Sequence, residues 1–571
     1  MSEKQLKELE ALRHSAAHLL AHALMELHPD TKLTLGPPTT QGFFYDILPT
    51  KNFKEEDLPA IEQRMREIVH RDLPLTHEQM PKEEARKLYK DNPFKLELID
   101  GIPGDTVGIA RQGNFYDLCR GGHVASTGHI KHFKLTNISG SYWRADKNNT
   151  PLQRISGTAF LTQEDMDREE QRRIDAQLYD HRRLGKQLDY FSFHDEGVGF
   201  PFFHPKGKLI INGLRGFMRK LLQEAGYKEI ETPTMLSDEL WRQSGHYAFY
   251  KNNMYFSDVE EKSYAIKPMN CPGSILIYKE RPRSYRELPL RLMEFGKVHR
   301  HELSGVLHGL FRVRAFTIDD THIYCTLDQV ENEILKILKI VVRVMKAFGF
   351  DTIKIALSTK PDNAMGDDAT WQKAINGLRT ALDNAKLPYA LQEGEGAFYG
   401  PKIEIKINDS MDREWQCGTV QLDFFQPQNF DLSYVGPDGQ AHRPVIIHQA
   451  IFGSLERFLG IILEHHKGHL PFWLSPIQAR VLPISDEQRE YANTLATFLK
   501  EKGLRAEVDQ SSDTLAAQIK DAQLTKIPWM LVVGKKEAAQ QTVTLRHVDG
   551  RQEQGLTWEQ LAKNAHILLE V

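Results

Sequence analysis

Cysteine is scarce in this sequence of 571 residues: Cys119, Cys271, Cys325 and Cys417 are the whole supply, and no two stand as Cys-x-x-Cys. That spacing excludes a disulfide framework and points to a reducing compartment. Long apolar runs are also missing. None approaches the roughly 18 residues of a membrane helix, and Met1-Ser2-Glu3-Lys4-Gln5-Leu6 lacks the apolar stretch of a secretory signal. The expected location is cytoplasmic, with no membrane partner. Nor does charge of one sign dominate, since 73 Lys and Arg against 77 Asp and Glu leave −4. A histone-like polycation and an acidic tail protein are thereby excluded, while nucleic-acid binding stays open because it needs only a local basic face. A Walker-type Gly-x-x-x-x-Gly-Lys-Ser/Thr loop is absent. What is present is globular, 40% hydrophobic and 26% charged. At about 150 residues per domain the length predicts three or four units.

Four segments are expected. Residues 1–158 mix helical and strand patterns, with Leu6, Leu9, Leu12, Ala16, Leu19, Leu20 and Ala23 at helical spacing and a break at Gly36-Pro37-Pro38. Residues 159–189 are rich in charge, and Thr162 three residues before Asp165 predicts a capped polar helix joining two bodies. Residues 190–474 alternate strands and helices. Residues 475–571 read β-α-β-α-β, with a strand at Ala479–Ile484, a helix at Glu487–Lys502 and a buried strand at Met530–Val533. The fold class is therefore multidomain, α/β and α+β.

Three segments in the third region fit one chemistry. Gly226-Tyr227-Lys228-Glu229-Ile230-Glu231-Thr232-Pro233 is a helix end entering a strand that proline stops. The run from Arg291 to Phe316 reads as two alternating strands around a loop, and it brings Arg300 and Arg312 near one hairpin. A guanidinium fork matches phosphate oxygens bidentately, although arginines on a solvated ribbon would look the same. From Ala450 to Ile462 small residues precede an apolar helix that carries Arg457, whose guanidinium could stack on a purine; a buried helix with one surface arginine is the plainer alternative.

In this order the segments resemble motifs 1, 2 and 3 of class II aminoacyl-tRNA synthetases, and Cys271, His322 and His448, each adjacent to one of these motifs, look like the zinc ligands of the threonyl branch. The resemblance implies an antiparallel-sheet catalytic core, ATP with Mg²⁺, and Arg300, Arg457 and Lys402 as catalytic residues. It also implies substrate and ATP contacts at Met269, Glu302, Arg312, Asp320, Tyr399, Gln416 and Gln421. The partners that follow are tRNA(Thr), threonine and a second copy of the chain in a homodimer. Cys271, His322 and His448 correspond to the family's Zn²⁺ ligands, one ion per subunit, though buried cysteines and histidines are common without a metal. Chemistry supplies a separate reason for the ion: valine and threonine are near-isosteres that an apolar pocket separates poorly, and three protein ligands leave positions open for an amine and a hydroxyl. Ile318 stands where the family usually has glutamine.

Upstream, His14 and His18 lie one turn apart on a helical face, and Asp117-Leu118-Cys119-Arg120-Gly121-Gly122-His123 follows. A tetrahedral metal site from His14, His18, Cys119 and His123 is chemically allowed, as is a metal-free cleft that positions water. The two motifs resemble the α+β editing domain shared by threonyl and alanyl synthetases. That likeness implies hydrolysis of mischarged seryl-tRNA by His14, His18, Asp117, Cys119 and His123, expected without zinc. Serine lacks only a methyl, worth about 1–3 kcal/mol, which is thin discrimination. Bacterial members usually carry a small ubiquitin-like domain before this helix; this sequence starts almost directly at the helix, so either the natural protein lacks that domain or only this stretch of it does. Residues from 475 resemble the family's α/β anticodon-binding domain, with Glu537 and Arg546 at the reading positions and Ser512-Asp513-Thr514 replacing the usual run before the second helix.

Overall fold

The structure, a computed structural model, describes residues 2–362 and 364–569 and divides into two compact units, one running to Ile174 and one beginning at Asp175.

The first unit is built on the helix Glu3–Leu27, which opens on a reciprocal capping box between Ser2 and Gln5. Leu9, Leu12, Ala16, Leu19, Leu20 and Ala23 are buried as their spacing requires, whereas Leu6 is 54% exposed and lies ahead of the buried stripe. With the helix Leu58–His70 it packs on a four-stranded antiparallel sheet in the order Lys32–Leu33, Phe43–Leu48, Pro151–Phe160, His132–Tyr142. A second, three-stranded sheet (Leu75–Pro81, Thr106–Gln112, Phe115–Leu118) packs against the short helix Lys82–Leu88. The polar helix Gln163–Leu178 has no buried residue. Thr162 caps it by accepting from the Asp165 backbone N–H at 3.1 Å, but the Asp165 carboxylate takes the Thr162 hydroxyl and not the backbone N–H.

In the second unit an eight-stranded sheet runs Lys228–Glu229, Leu290–His299, Ala315–Cys325, Val445–Ala450, Glu414–Asp423, Lys402–Asn408, Ile353–Ser358, Tyr389–Gln392. Every pairing is antiparallel except the one at each edge. Side chains alternate between faces with a period of two. Ile323, Ile403, Ile405, Val420, Leu422 and Ile447 share a core with the helices Pro205–Glu224, Val330–Ala347, Asp368–Ala385 and Leu455–His465. The alternate residues, among them Asp320, His322, Lys402, Gln421 and His448, therefore fall on the opposite face. The segment that begins at Gly226 contributes only a two-residue strand, Lys228–Glu229, at the sheet edge. The region from Ala450 to Ser454 is a strand end and a turn, with the helix starting at Leu455.

A five-stranded sheet closes the chain in the order Ala506–Val508, Ala479–Pro483, Trp529–Val533, Thr542–His547, Gln552–Thr557. Its first three strands are parallel and the last two form an antiparallel hairpin that the β-α-β-α-β reading did not contain. The expected helix spans Arg489–Glu501. Thr514 caps the next helix, Leu515–Leu524, by accepting from the Ala517 N–H, so the departure at Ser512-Asp513-Thr514 has a local role. No helix among the described residues is long and apolar enough to cross a membrane.

Candidate functional site

Register places four functional side chains in one row. His322 pairs with His448, His448 with Gln421, and Gln421 with Lys402, each on a neighbouring strand. The His322 and His448 rings stand edge to face at 4.9 Å. Cys271, first residue of the helix Cys271–Lys279, completes a buried set whose ligand atoms all lie within 4.8 Å of one another. The His322 Nε2 is buried without a hydrogen-bond partner. Burial, then the neighbouring His448, pushes its pKa well below the usual imidazole value. His448 is held by its Nε2 against the Asp423 carboxylate at 2.9 Å, the kind of outer partner that orients a ligating histidine. Burial raises the Cys271 thiol well above its ordinary value, with Asp320 and Asp423 adding to the shift. An orphaned imidazole nitrogen, a neutral histidine and a thiol that only a cation would ionise fit a soft divalent metal.

Asp320, two residues from His322, receives the Asn270 side-chain amide at 3.0 Å, and burial lifts its carboxyl to about 6. Tyr399 donates to the Gln421 side-chain oxygen, and Lys402 pairs with Glu404 at 2.6 Å. Gln416 and Gln421 are five apart, which on a regular strand would put them on opposite faces. A register shift opposite Ile405 and Lys406 sets Gln416 across from Lys406 and returns it to the Gln421 face.

Next to this row lies a pocket of about 440 Å³ bordered by Arg300, Glu302, Arg312, Gln416, Phe452 and Arg457. Arg300 donates from Nε to the Pro268 carbonyl at 3.3 Å and lies 5.1 Å from the centre of the Phe316 ring. Arg312 pairs with Glu302 at 2.9 Å. The Arg457 Nε is buried without a partner, its guanidinium 5.6 Å from the Trp415 ring, and burial lowers its pKa. Cys417 borders the same pocket, its thiol raised to about 12 by burial. Ile318 adds an apolar patch to this wall. Asp319 accepts the backbone N–H groups of Ile451, Phe452 and Gly453 at 2.9–3.0 Å and so shapes the pocket floor.

Two neighbours escaped the sequence reading. His246 is fully buried with Nε2 2.9 Å from the Met269 sulfur, and burial brings it down to about 3. Trp415 supplies the aromatic surface beside Arg457. His246 stands in no run of residues that marks it, whereas Trp415 opens the run that supplied Gln416 and Gln421 without being read itself.

The first unit holds a second constellation, in a cleft of about 1130 Å³. His14, His18, Cys119 and His123 have ligand atoms within 4.8 Å of one another. Gly121 and Gly122 both take positive φ, which folds His123 back onto Cys119 at 2.9 Å. His14 Nε2 stands 3.5 Å from the same sulfur. Burial works to raise the thiol, but His123, His14 and His18 outweigh it and hold Cys119 down to about 3. Burial likewise opposes charge on His18, yet Asp117 and Cys119 draw it up to about 9. His18 Nδ1 is 3.1 Å from Asp117, an ion-pair contact without hydrogen-bond alignment. Asp117 is also bound by the buried Lys95 ammonium and by the Tyr45 hydroxyl at 2.5 Å. Lys95 and Tyr45, far away in the chain, carried no sequence signal.

In the closing sheet, Glu537 accepts from the Gly534 N–H and the Thr544 hydroxyl, each at 3.1 Å. Thr544 and Arg546 are two apart on one strand and share a face, and the Arg546 Nε is buried without a partner.

Residues 250–466 match the family model of the tRNA synthetase class II core domain (G, H, P, S and T), residues 478–565 that of an anticodon binding domain, and residues 107–156 that of the threonyl and alanyl tRNA synthetase second additional domain. The chain is 50% identical over 547 residues to a threonine–tRNA ligase of Thermotoga neapolitana, covering 95% of this chain and 85% of that protein. With the corresponding ligase of Clostridium tetani it shares 49% identity over 538 residues, 94% of this chain and 84% of the relative. Among solved structures, the RNA binding domain of threonyl-tRNA synthetase from Cryptosporidium parvum Iowa II superposes with a TM-score of 0.67 at 44% identity, over 68% of this chain and 98% of that one. A putative threonyl-tRNA synthetase from Aeropyrum pernix gives 0.62 at 33% identity, over 68% and 95%. Identity at this level along nearly the whole length, together with a class II core, an anticodon-binding module and the additional domain, makes this chain a member of the threonine–tRNA ligase family.

Proposed function

We propose that the chain joins threonine to tRNA(Thr) in two steps. The threonine carboxylate attacks the ATP α-phosphate and expels pyrophosphate with Mg²⁺, and the threonyl group then passes from AMP to the terminal ribose of the tRNA. The observation that carries this reading is the buried Cys271–His322–His448 set on the same sheet face as the pocket of Arg300 and Arg457. Arg300 holds the α-phosphate, with Glu302 and Arg312 beside it, and Arg457 packs on the adenine. Such steps depend on positioning and charge stabilisation more than on a protein base. Met269, Tyr399, Gln416 and Gln421 bound the substrate, Lys402 balances charge, and Asp320 receives the threonine hydroxyl. Zinc on Cys271, His322 and His448 would leave open positions that threonine fills with its amine and hydroxyl and valine does not.

Serine keeps the hydroxyl, so the cleft of His14, His18, Asp117, Cys119 and His123 serves as a hydrolytic second sieve for seryl-tRNA(Thr). We take it to work without metal: Cys119 is already held by His14 and His123, and His18 stands against the Asp117 carboxylate. Glu537 and Arg546 read anticodon bases. The working division is 1–158 for editing, 159–189 for the connecting helix, 190–474 for catalysis and 475–571 for the anticodon. A cytoplasmic homodimer joined near Gly226–Pro233 completes the proposal.

ATP–pyrophosphate exchange with threonine, serine and valine, before and after zinc removal, tests it. Exchange should be strong with threonine, weaker with serine and nearly nil with valine, and it should vanish on chelation. Metal analysis should return one zinc per chain. Folded, zinc-loaded protein that exchanges with none of the three would sink the ligase reading, and two zincs per chain would overturn the metal-free second sieve.

A further inference from the structure

His181 is fully buried, opens the helix His181–Gln187, and belongs to neither constellation described above. Its ring makes two hydrogen-bond contacts, with the Asp180 carboxylate farther off at 4.0 Å from Nδ1. Nδ1 lies 2.6 Å from Glu464 Oε1, and the His181 backbone N–H donates to the same oxygen at 2.9 Å. Nε2 accepts the backbone N–H of Leu310 at 2.9 Å. An acceptor at Nε2 and a carboxylate at Nδ1 require the neutral Nδ1–H tautomer. The other Glu464 oxygen takes Arg413, which is shared with Asp409.

Leu310 is the buried residue at the tip of the loop between Leu290–His299 and Ala315–Cys325, and next to it the Phe311 ring packs on His181 at 4.0 Å and on Trp415 at 4.4 Å. Two glycines are shaped to this joint. A Cβ on Gly309 would fall 2.1 Å from His181 Nε2, and one on Gly460 would fall 2.8 Å from the Phe311 ring. Within the loop the only ladder contact among the described residues is the isolated bridge between His308 and Arg312. Backbone bonds from His301 to Asn253 and from Arg314 to Gly199 anchor the ends of the loop, and side-chain contacts set where its tip sits. Phe311 and Arg312 border the nucleotide pocket.

We propose that His181 is a positioning residue for the nucleotide: by holding the Leu310 N–H against the carboxylate at the end of the Leu455–His465 helix, it places Phe311 and Arg312 for ATP. The inference rests on the reading of that pocket as the ATP site. His181 would touch neither substrate, so its removal should act on ATP and leave threonine alone.

The test is exchange kinetics on the full chain with His181→Ala, His181→Gln and His181→Asn. The alanine variant should raise the ATP KM about tenfold or more, since a buried N–H and a carboxylate lose their partner, with the threonine KM and seryl-tRNA deacylation unchanged. Glutamine can offer an oxygen at the reach of Nε2, whereas asparagine places its amide near Nδ1. The ATP KM of the glutamine variant should therefore lie closer to that of the parent than the asparagine value does. Should the alanine variant not fold, this ordering alone decides. An unchanged ATP KM, an equal rise in both KM values, or asparagine matching the parent better than glutamine would each overturn the inference. Loss of all exchange in the parent chain would instead remove the ATP reading on which it stands.

Discussion

Cys119 sits among three imidazoles in an open cleft, and its thiol is held down to about 3 despite burial that works the other way. The sign is simple. A depressed value leaves the thiolate present at every pH above it, to be lost only as pH falls through about 3. Alkylation by iodoacetamide should therefore proceed at nearly constant rate from pH 5 to pH 8 at Cys119, read by peptide mapping. An ordinary thiol would gain roughly tenfold per pH unit over that range, and such a slope would show that the histidines do not hold a thiolate. Cys271, Cys325 and Cys417 are pushed upward by burial and should stay unmodified. The Asp117–Cys119–His123 run was legible because its residues are adjacent in the chain. The Lys95 and Tyr45 partners of Asp117 were not, because lysine and tyrosine at those positions differ in no way from dozens of others.

One acidic side chain organises the turn from Ala450 into the helix Leu455–His465. Asp319 accepts three consecutive N–H groups there, and burial lifts its own carboxyl to about 7. Asp319→Ala strands these donors, two of them on the fully enclosed Ile451 and Phe452. At about 1–3 kcal/mol for each unsatisfied buried group, the expected loss is roughly 3–5 kcal/mol, with a weaker grip on ATP. Asp319→Asn keeps a carbonyl acceptor and should lose less than half of that. Thermal unfolding of the two variants measures the difference, and equal losses would refute the hydrogen-bond account. The strand that carries Gln416 teaches a related lesson. Five residues separate it from Gln421, and only the bulge beside Cys417 brings both to one face. Period-two counting from sequence places them apart.

Across the whole chain, the exchange pocket and the thiol cleft lie in different compact units, and no described residue lines both. Mutations that share no partner act independently. Arg300→Ala should lower adenylate formation by about 10²-fold or more, the usual loss for one preorganised donor to developing charge, and leave seryl-tRNA deacylation within about twofold. His18→Ala should do the reverse, because its charge is tied to Asp117 and Cys119. Chelation should follow the Arg300 pattern. Assays of both activities on each variant check this, and a parallel loss of both in either variant would show that the sites are coupled.

From the sequence alone came the apolar stripe of the first helix, the ordered arginine motifs and the Cys119–His123 turn. Each is a local pattern, fixed by spacing along one element or by neighbours in the chain. Only the tertiary structure brought Cys271 to His322 and His448, set Asp319 under the Ile451–Gly453 turn and seated His181 between Glu464 and Leu310. These contacts join residues 129 to 283 positions apart, or side chains from separate strands and helices. Their geometry is decided by sheet register and by the need of buried polar groups for partners, and neither leaves a periodic trace in the chain.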